Sequence, residues 1–158
     1  MTLDLLARIT AVIAVLGTAV VYGTDVFCAL VLRPAPAAVD DRVLVTVTGK
    51  VHRFGDRRMP VPGVLGIAAS AASAALAAAA SHWWQAAAAG AAFVLLLVWL
   101  AIYVRISAPV NRVLTAASDD GRSLPDGRAL QARWDGVINA RATVQGLAVA
   151  GLCVALLA

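Results

Sequence analysis

The chain has 158 residues, of which 61% are hydrophobic and 14% charged, and its mean hydropathy is +0.84. A water-soluble domain of this size has no room to bury so much apolar surface. The net charge of +4 does not indicate nucleic acid, because the basic residues gather beside apolar stretches as membrane topology signals do. No nucleic-acid partner is expected.

Four apolar stretches, residues 9–32, 61–80, 86–104 and 137–158, each have about the 20 residues that a helix rising about 1.5 Å per residue needs to cross about 30 Å of hydrocarbon. The expected fold is all-α: a four-transmembrane-helix bundle in which residues 1–158 form a single integral membrane domain with two long cytoplasmic loops. The first stretch follows Arg8 and precedes Ala35-Pro36-Ala37, as in a secretory signal. Its apolar run is longer than a signal core and three more spans follow, so it reads as a mature helix.

The loop after the first span carries Arg33, Arg42, Lys50, Arg53, Arg57 and Arg58. Val43, Val45 and Val47 alternate as in a strand, while Val47, Val51 and Phe54 fit a helical face, and the periodicity leaves both open. An open strand edge cannot lie in lipid, so this segment is expected to be cytoplasmic or interfacial. His52 lies within it, and an imidazole suits a general base near neutral pH. The other reading of His52 is a solvated loop histidine.

The second span is mostly Ala, Ser and Gly, whose small side chains allow close helix packing inside the bundle or against a second copy. The third, "AAFVLLLVWLAIYV", suits a lipid-facing wall. Between them, "SHWWQ" holds no Lys or Arg, and His82 beside Trp83 and Trp84 reads as an interfacial belt. The next loop carries Arg105, Arg112, Arg122, Arg128 and Arg133. The asymmetry puts both long loops in the cytoplasm and both termini outside, as expected for a bacterial plasma membrane. This second loop reads as a short helix, "PVNRVLTAAS", then a turn at Pro125-Asp126-Gly127, then a helix from near Arg128 into the fourth span.

Residues 133–146, "RWDGVINARATVQG", place Arg141 inside the fourth apolar stretch. Asp25 in the first span lies at a similar depth, on the order of 8 to 10 Å from the same face. An unpaired charge there costs several kcal/mol, so pairing of Asp25 with Arg141 is expected. Such a pair either holds the bundle or marks a functional site, and Arg141 alone could instead snorkel to the interface. Trp134 precedes Arg141 by two helical turns and shares its face. With Tyr22 and Tyr103 at similar depth, and Asn111 and Arg112 approaching from the loop, these residues would line a cytoplasm-facing pocket. Each aromatic taken singly also fits an interfacial belt.

Cys28 and Cys153 fall near opposite ends of their spans and beyond the roughly 7 Å between α-carbons that a disulfide needs, so both read as small buried apolar residues. With no CxxC motif and no His-rich run, no metal site is expected.

The segments "IYVRISAPVNRVLTAAS" and "LQARWDGVINARATVQGLAVAG" resemble the anthrone oxygenase-like family of small four-helix membrane proteins. That family pairs an Ala-Pro-Val-Asn segment after the third span with a Trp seven residues before an Arg in the fourth. Ala108, Pro109, Val110 and Asn111 match the first part, and Trp134 and Arg141 the second, while Arg57 to Pro60, "RRMP", is also similar. Many members carry a His three residues before the Arg, where this chain has Ile138. The resemblance implies oxidation of a polyphenolic or quinol-like aromatic by O2 without a cofactor. A deprotonated electron-rich substrate can itself pass electrons to oxygen, given an apolar pocket, a base and a cation. It implies Arg141 as anion stabiliser, Asn111 as polar orienter and Trp134, Tyr22 and Tyr103 as stacking walls. Asp25 or His52 would be the base, although pairing with Arg141 makes Asp25 a weak base and suits it better to positioning the guanidinium.

The alternative is a non-catalytic membrane protein that binds a lipid or quinone-like ligand or serves as a subunit of a larger assembly, including a homo-oligomer. A channel finds no ion path in four spans unless several copies assemble.

Overall fold

The structure, a computed structural model, describes residues 2–158. It is all-helical, with no strand among the described residues. The helices are α1 (Leu3–Phe27), α2 (Asp41–Arg58), α3 (Pro60–Ala79), α4 (Trp83–Ile102), α5 (Ala108–Asp119) and α6 (Gly127–Leu157). Four helical stretches are long and apolar enough to cross a membrane: Leu3–Leu32, Pro60–Ala79, Trp83–Asp119 and Gly127–Leu157.

Two of these stretches contain a π-helical turn, Cys28–Leu32 after α1 and Tyr103–Ser107 between α4 and α5. In each, the turn ends two residues before a proline, Pro34 or Pro109. A proline has no N–H for an i→i−4 bond and its ring crowds that carbonyl. The wider i→i−5 register relieves the crowding, with Arg33 N donating to Cys28 O and Ala108 N to Tyr103 O. The helix expected separately at "PVNRVLTAAS" is therefore continuous with the third span.

Where the sequence leaves strand and helix open in the first loop, the helix wins. The side chain of Asp40 accepts from Val43 N at 2.8 Å as an N-cap. Asp41 opens the helix and Arg57 and Arg58 close it, each complementing the dipole. Its buried residues Leu44, Val45, Thr48, Gly49 and His52 form one helical face.

The chain divides into two compact units. The first comprises residues 2–23, 60–99 and 143–158, and the second residues 24–59 and 100–142.

In the first unit, segments of α1, α3, α4 and α6 pack through small residues. A Cβ added to Gly17 would stand 2.8 Å from Pro62 O, and one on Gly66 would stand 2.6 Å from Thr18 Oγ1. No larger residue fits this crossing of α1 and α3 without displacing backbone. Ser73 Oγ donates to Ala7 O at 2.9 Å across the same pair. Ala14, Ala69, Ala92, Leu96, Ala148 and Leu152 form the core. The small-residue face of α3 thus packs within its own unit, while α4 is divided: Leu96 and Trp99 are buried, and Val94, Leu97 and Val98 are exposed. Cys153 is exposed rather than buried, and both cysteines are free thiols.

In the second unit, α2 lies along α5. A Cβ on Gly49 would come within 2.4 Å of Leu114 O, so glycine sets this contact. Ser118 Oγ donates to Thr46 O and Thr115 Oγ1 to Gly49 O. Cys28, Leu44, Val45, Val110, Leu114, Ala117, Trp134 and Ile138 form its core.

The buried residues of α6, from Gln131 through Trp134, Ile138, Arg141, Gln145, Ala148, Leu152 and Ala155, alternate spacings of three and four. Those of α1, from Ala7 through Ala11, Ala14, Thr18, Val21, Asp25 and Cys28, do the same. This seven-residue rhythm keeps one face of each helix buried along its length. Asp25 and Arg141 occupy positions on these faces that packing would otherwise fill with an apolar side chain.

Candidate functional site

The buried-face positions of Asp25 and Arg141 bring them together in the second unit. Arg141 Nη2 donates to Asp25 Oδ1 at 2.7 Å, with both side chains almost fully buried. Arg141 Nη1 donates to Ser107 Oγ at 2.9 Å. Ser107 closes the π turn that begins at Tyr103, so the local widening of the helix supplies both the hydroxyl and the adjacent ring. The guanidinium carbon stands 5.4 Å from the Trp134 ring and 5.5 Å from the Tyr103 ring, within cation–π range of both. The cation is thus held by one carboxylate, one hydroxyl and two aromatic rings.

A second layer comes from α2. The His52 ring lies 5.2 Å from that of Trp134, tilted by 47°. The histidine is buried on a helix rather than solvated in a loop. Burial pushes its pKa below the ordinary 6.5, and Arg141 adds to that effect, while Gln131 and Asp56 act in the opposite direction. The imidazole is therefore neutral at pH 7 and able to accept a proton. One turn on, Asp56 accepts from both Tyr103 Oη at 2.7 Å and Asn111 Nδ2 at 2.8 Å, through a single carboxylate oxygen. In this cluster His52 Nε2, Asn111 Oδ1, Gln131 Oε1 and Trp134 Nε1 are buried with no hydrogen-bond partner among the described residues. Buried polar atoms are nearly always bonded, and apart from this cluster Thr18 Oγ1 and the Gln85 amide in the first unit share the feature.

Asp25, His52, Tyr103, Asn111, Trp134 and Arg141 are thus brought together, whereas two other expected residues lie elsewhere. Tyr22 belongs to the first unit, where its ring packs against Gly146. It is three residues from Asp25 but off the buried face, and equal depth does not give equal facing. Arg112 is exposed and lines an open groove of about 390 Å³ between α2 and α5, with Arg53, Asp56, Arg57, Thr115, Ala116 and Asp119. His82 is in the first unit, with Nδ1 3.5 Å from Asp4 Oδ1, and Trp83 and Trp84 beside it are exposed.

Three members of the cluster escape sequence reading: Asp56, Ser107 and Gln131. Asp56 follows His52 by four residues, so a helical reading of α2 puts both on one face. Gln131 precedes Trp134 by three on the same helix. Ser107 carries no sequence signal beyond lying just before the Ala-Pro-Val-Asn segment.

No group of three or more His, Cys, Asp or Glu side chains able to hold a metal ion occurs among the described residues. Compared with family models, curated proteins and solved structures, the chain finds no match.

Proposed function

We propose that this chain is an integral membrane protein resembling the anthrone oxygenases, which oxidises a polyphenolic or quinol-like aromatic with O2 in a cytoplasm-facing site. The observation that carries the reading is the buried Arg141 guanidinium, anchored by Asp25 and Ser107 and flanked by Trp134 and Tyr103, with His52 packed at a tilt against Trp134. The basic residues of α2, α5 and the start of α6, against a Ser81–His82 turn without Lys or Arg, support the assignment of sides.

In this reading His52, brought in from α2, takes the place of the imidazole that the family carries where this chain has Ile138. It removes a proton from the activated CH2 group of the substrate, and Arg141 stabilises the anion delocalised onto the phenolic and carbonyl oxygens. The carbanion passes its electrons to O2 and forms a C–O bond. The resulting hydroperoxide loses water to leave a carbonyl, so one oxygen atom enters the product and the other leaves as water. Asp25 fixes the orientation of Arg141 rather than acting as the base, because pairing with a guanidinium makes a carboxylate a weak base. Trp134 and Tyr103 stack on the aromatic substrate, and Asn111 orients it through its unbonded Oδ1.

The test is oxygen uptake by the purified protein with emodin anthrone, with elemental analysis of the same sample to establish whether a metal accompanies it. The expected result is uptake above the spontaneous rate, lost in Arg141→Gln while the variant still folds. Uptake no faster than the spontaneous reaction would sink the oxygenase reading for this substrate class. If Arg141→Gln instead abolishes assembly of a protein that shows no turnover, the buried pair is structural and the chain is a subunit or ligand-binding protein.

A further inference from the structure

We infer that the groove between α2 and α5 binds a phosphate-type anion, carried by a membrane phospholipid headgroup or free in solution, through Arg53, Arg57 and Arg112. Three guanidiniums converge on this space of about 390 Å³, from positions one turn apart on α2 and from the facing turn of α5. Of the two carboxylates in its lining, Asp119 is ion-paired and Asp56 is held by neutral donors, so three guanidiniums face two carboxylates and the lining is net basic. Asp119 accepts from Lys50 and Arg53, each at 2.7 Å, and Asp56 accepts from Tyr103 and Asn111. Arg57 and Arg112 are exposed and form no ion pair among the described residues, so their N–H donors are available to an anion at the groove. Planar guanidiniums with parallel N–H donors fit the tetrahedral oxygens of a phosphate, and several together exceed what one surface arginine provides.

Beside the groove, α2 exposes Val43, Val47, Val51 and Phe54 along one strip, with Arg58 over the Phe54 ring at 5.3 Å. An apolar strip flanked by basic residues suits a helix lying at a lipid interface. It places acyl chains next to the phosphate site and favours a headgroup as the source of the anion.

This inference is independent of any oxygenase activity. Native mass spectrometry of the full-length protein in detergent, with dioleoyl phosphatidylglycerol or dioleoyl phosphatidylcholine added, reads lipid retention. A parallel titration with inorganic phosphate reads the shift in unfolding temperature. The expected result is preferential retention of phosphatidylglycerol, reduced on the order of tenfold or more in Arg57→Gln/Arg112→Gln. Arg122→Gln, at a residue paired with Asp120 outside the groove, should change nothing. A phosphate-induced shift lost in the double variant, without lipid preference, assigns the site to a free anion. Equal retention of both lipids together with no phosphate effect overturns the inference, as does a lipid preference that survives the double variant. Both substitutions are at exposed positions, and an unchanged unfolding temperature without ligand establishes that the variant is folded.

Discussion

Arg141 and Asp25 stand 116 residues apart in the chain and 2.7 Å apart in space, with 6% and 4% of their side chains exposed. A buried pair is a poor source of net stability, because desolvation offsets most of the attraction, but removing one partner strands the other charge at a cost of roughly 3–5 kcal/mol. Asp25→Asn and Arg141→Gln should each destabilise by about that much, and the double variant by clearly less than the sum. Denaturant unfolding of the four proteins in one detergent gives the coupling energy. Simple additivity would mean that the two charges do not depend on one another.

The neutral state of His52 gives stability a definite pH dependence. Its pKa is lowered on folding, so between the folded value and about 6.5 the unfolded chain binds more protons than the folded one. The linkage slope is then positive: stability is full above about pH 6.5 and is lost as pH falls through that window. His52→Gln should flatten this segment of the stability–pH curve, below about pH 6.5. If His52 is the base in turnover, activity falls as pH drops through its lowered folded value, at the acid end of that window. A parent stability curve already flat across that window would exclude a buried neutral imidazole.

Gly49 separates tight packing from helix propensity. Alanine normally favours a helix over glycine by about 1 kcal/mol, yet a Cβ here would meet Leu114 O and Ser118 Cβ, both at 2.4 Å. Gly49→Ala should therefore destabilise, by roughly 1–3 kcal/mol, as overpacking against backbone does. Gly55→Ala on the same helix, where a Cβ meets nothing within 4 Å, should stabilise slightly. Unfolding midpoints of the two variants should move in opposite directions.

The four long apolar helices, and the place of Asp25 and Arg141 along theirs, were legible because hydrophobic length and helical rise fix position along a helix axis. Facing was legible only where two residues shared one helix, as with Trp134 and Arg141 seven apart. Tyr22 shows the limit: it lies three residues from Asp25, but its neighbour is Gly146, because only the three-four rhythm of buried positions says which way a residue points. His52 and Asp56 were obscured by the valines of α2, which fit a strand as well as a helix until the Asp40 cap and the contact at Gly49 decide. Ser107 depends on a π turn, and no propensity encodes that register.

Tyr103 serves two partners with different parts of one side chain. Its hydroxyl donates to Asp56 at 2.7 Å, and its ring stands 5.5 Å from the Arg141 guanidinium carbon. Tyr103→Phe removes the first contact and keeps the second, whereas Tyr103→Leu removes both. The phenylalanine variant should lose about 1 kcal/mol, the net worth of one hydrogen bond to a charged acceptor that retains Asn111 as a donor. The leucine variant should lose a further 0.5–2 kcal/mol, roughly, as the partly desolvated cation loses one of its two aromatic faces. In Tyr103→Leu the pairing of Arg141 with Asp25 persists, so the coupling energy of that pair should change little when the double-mutant cycle is repeated in its background. A large fall in coupling would mean that the ring positions the guanidinium rather than merely solvating it, and Tyr103 would then join Asp25 and Ser107 as a group that sets where the cation points.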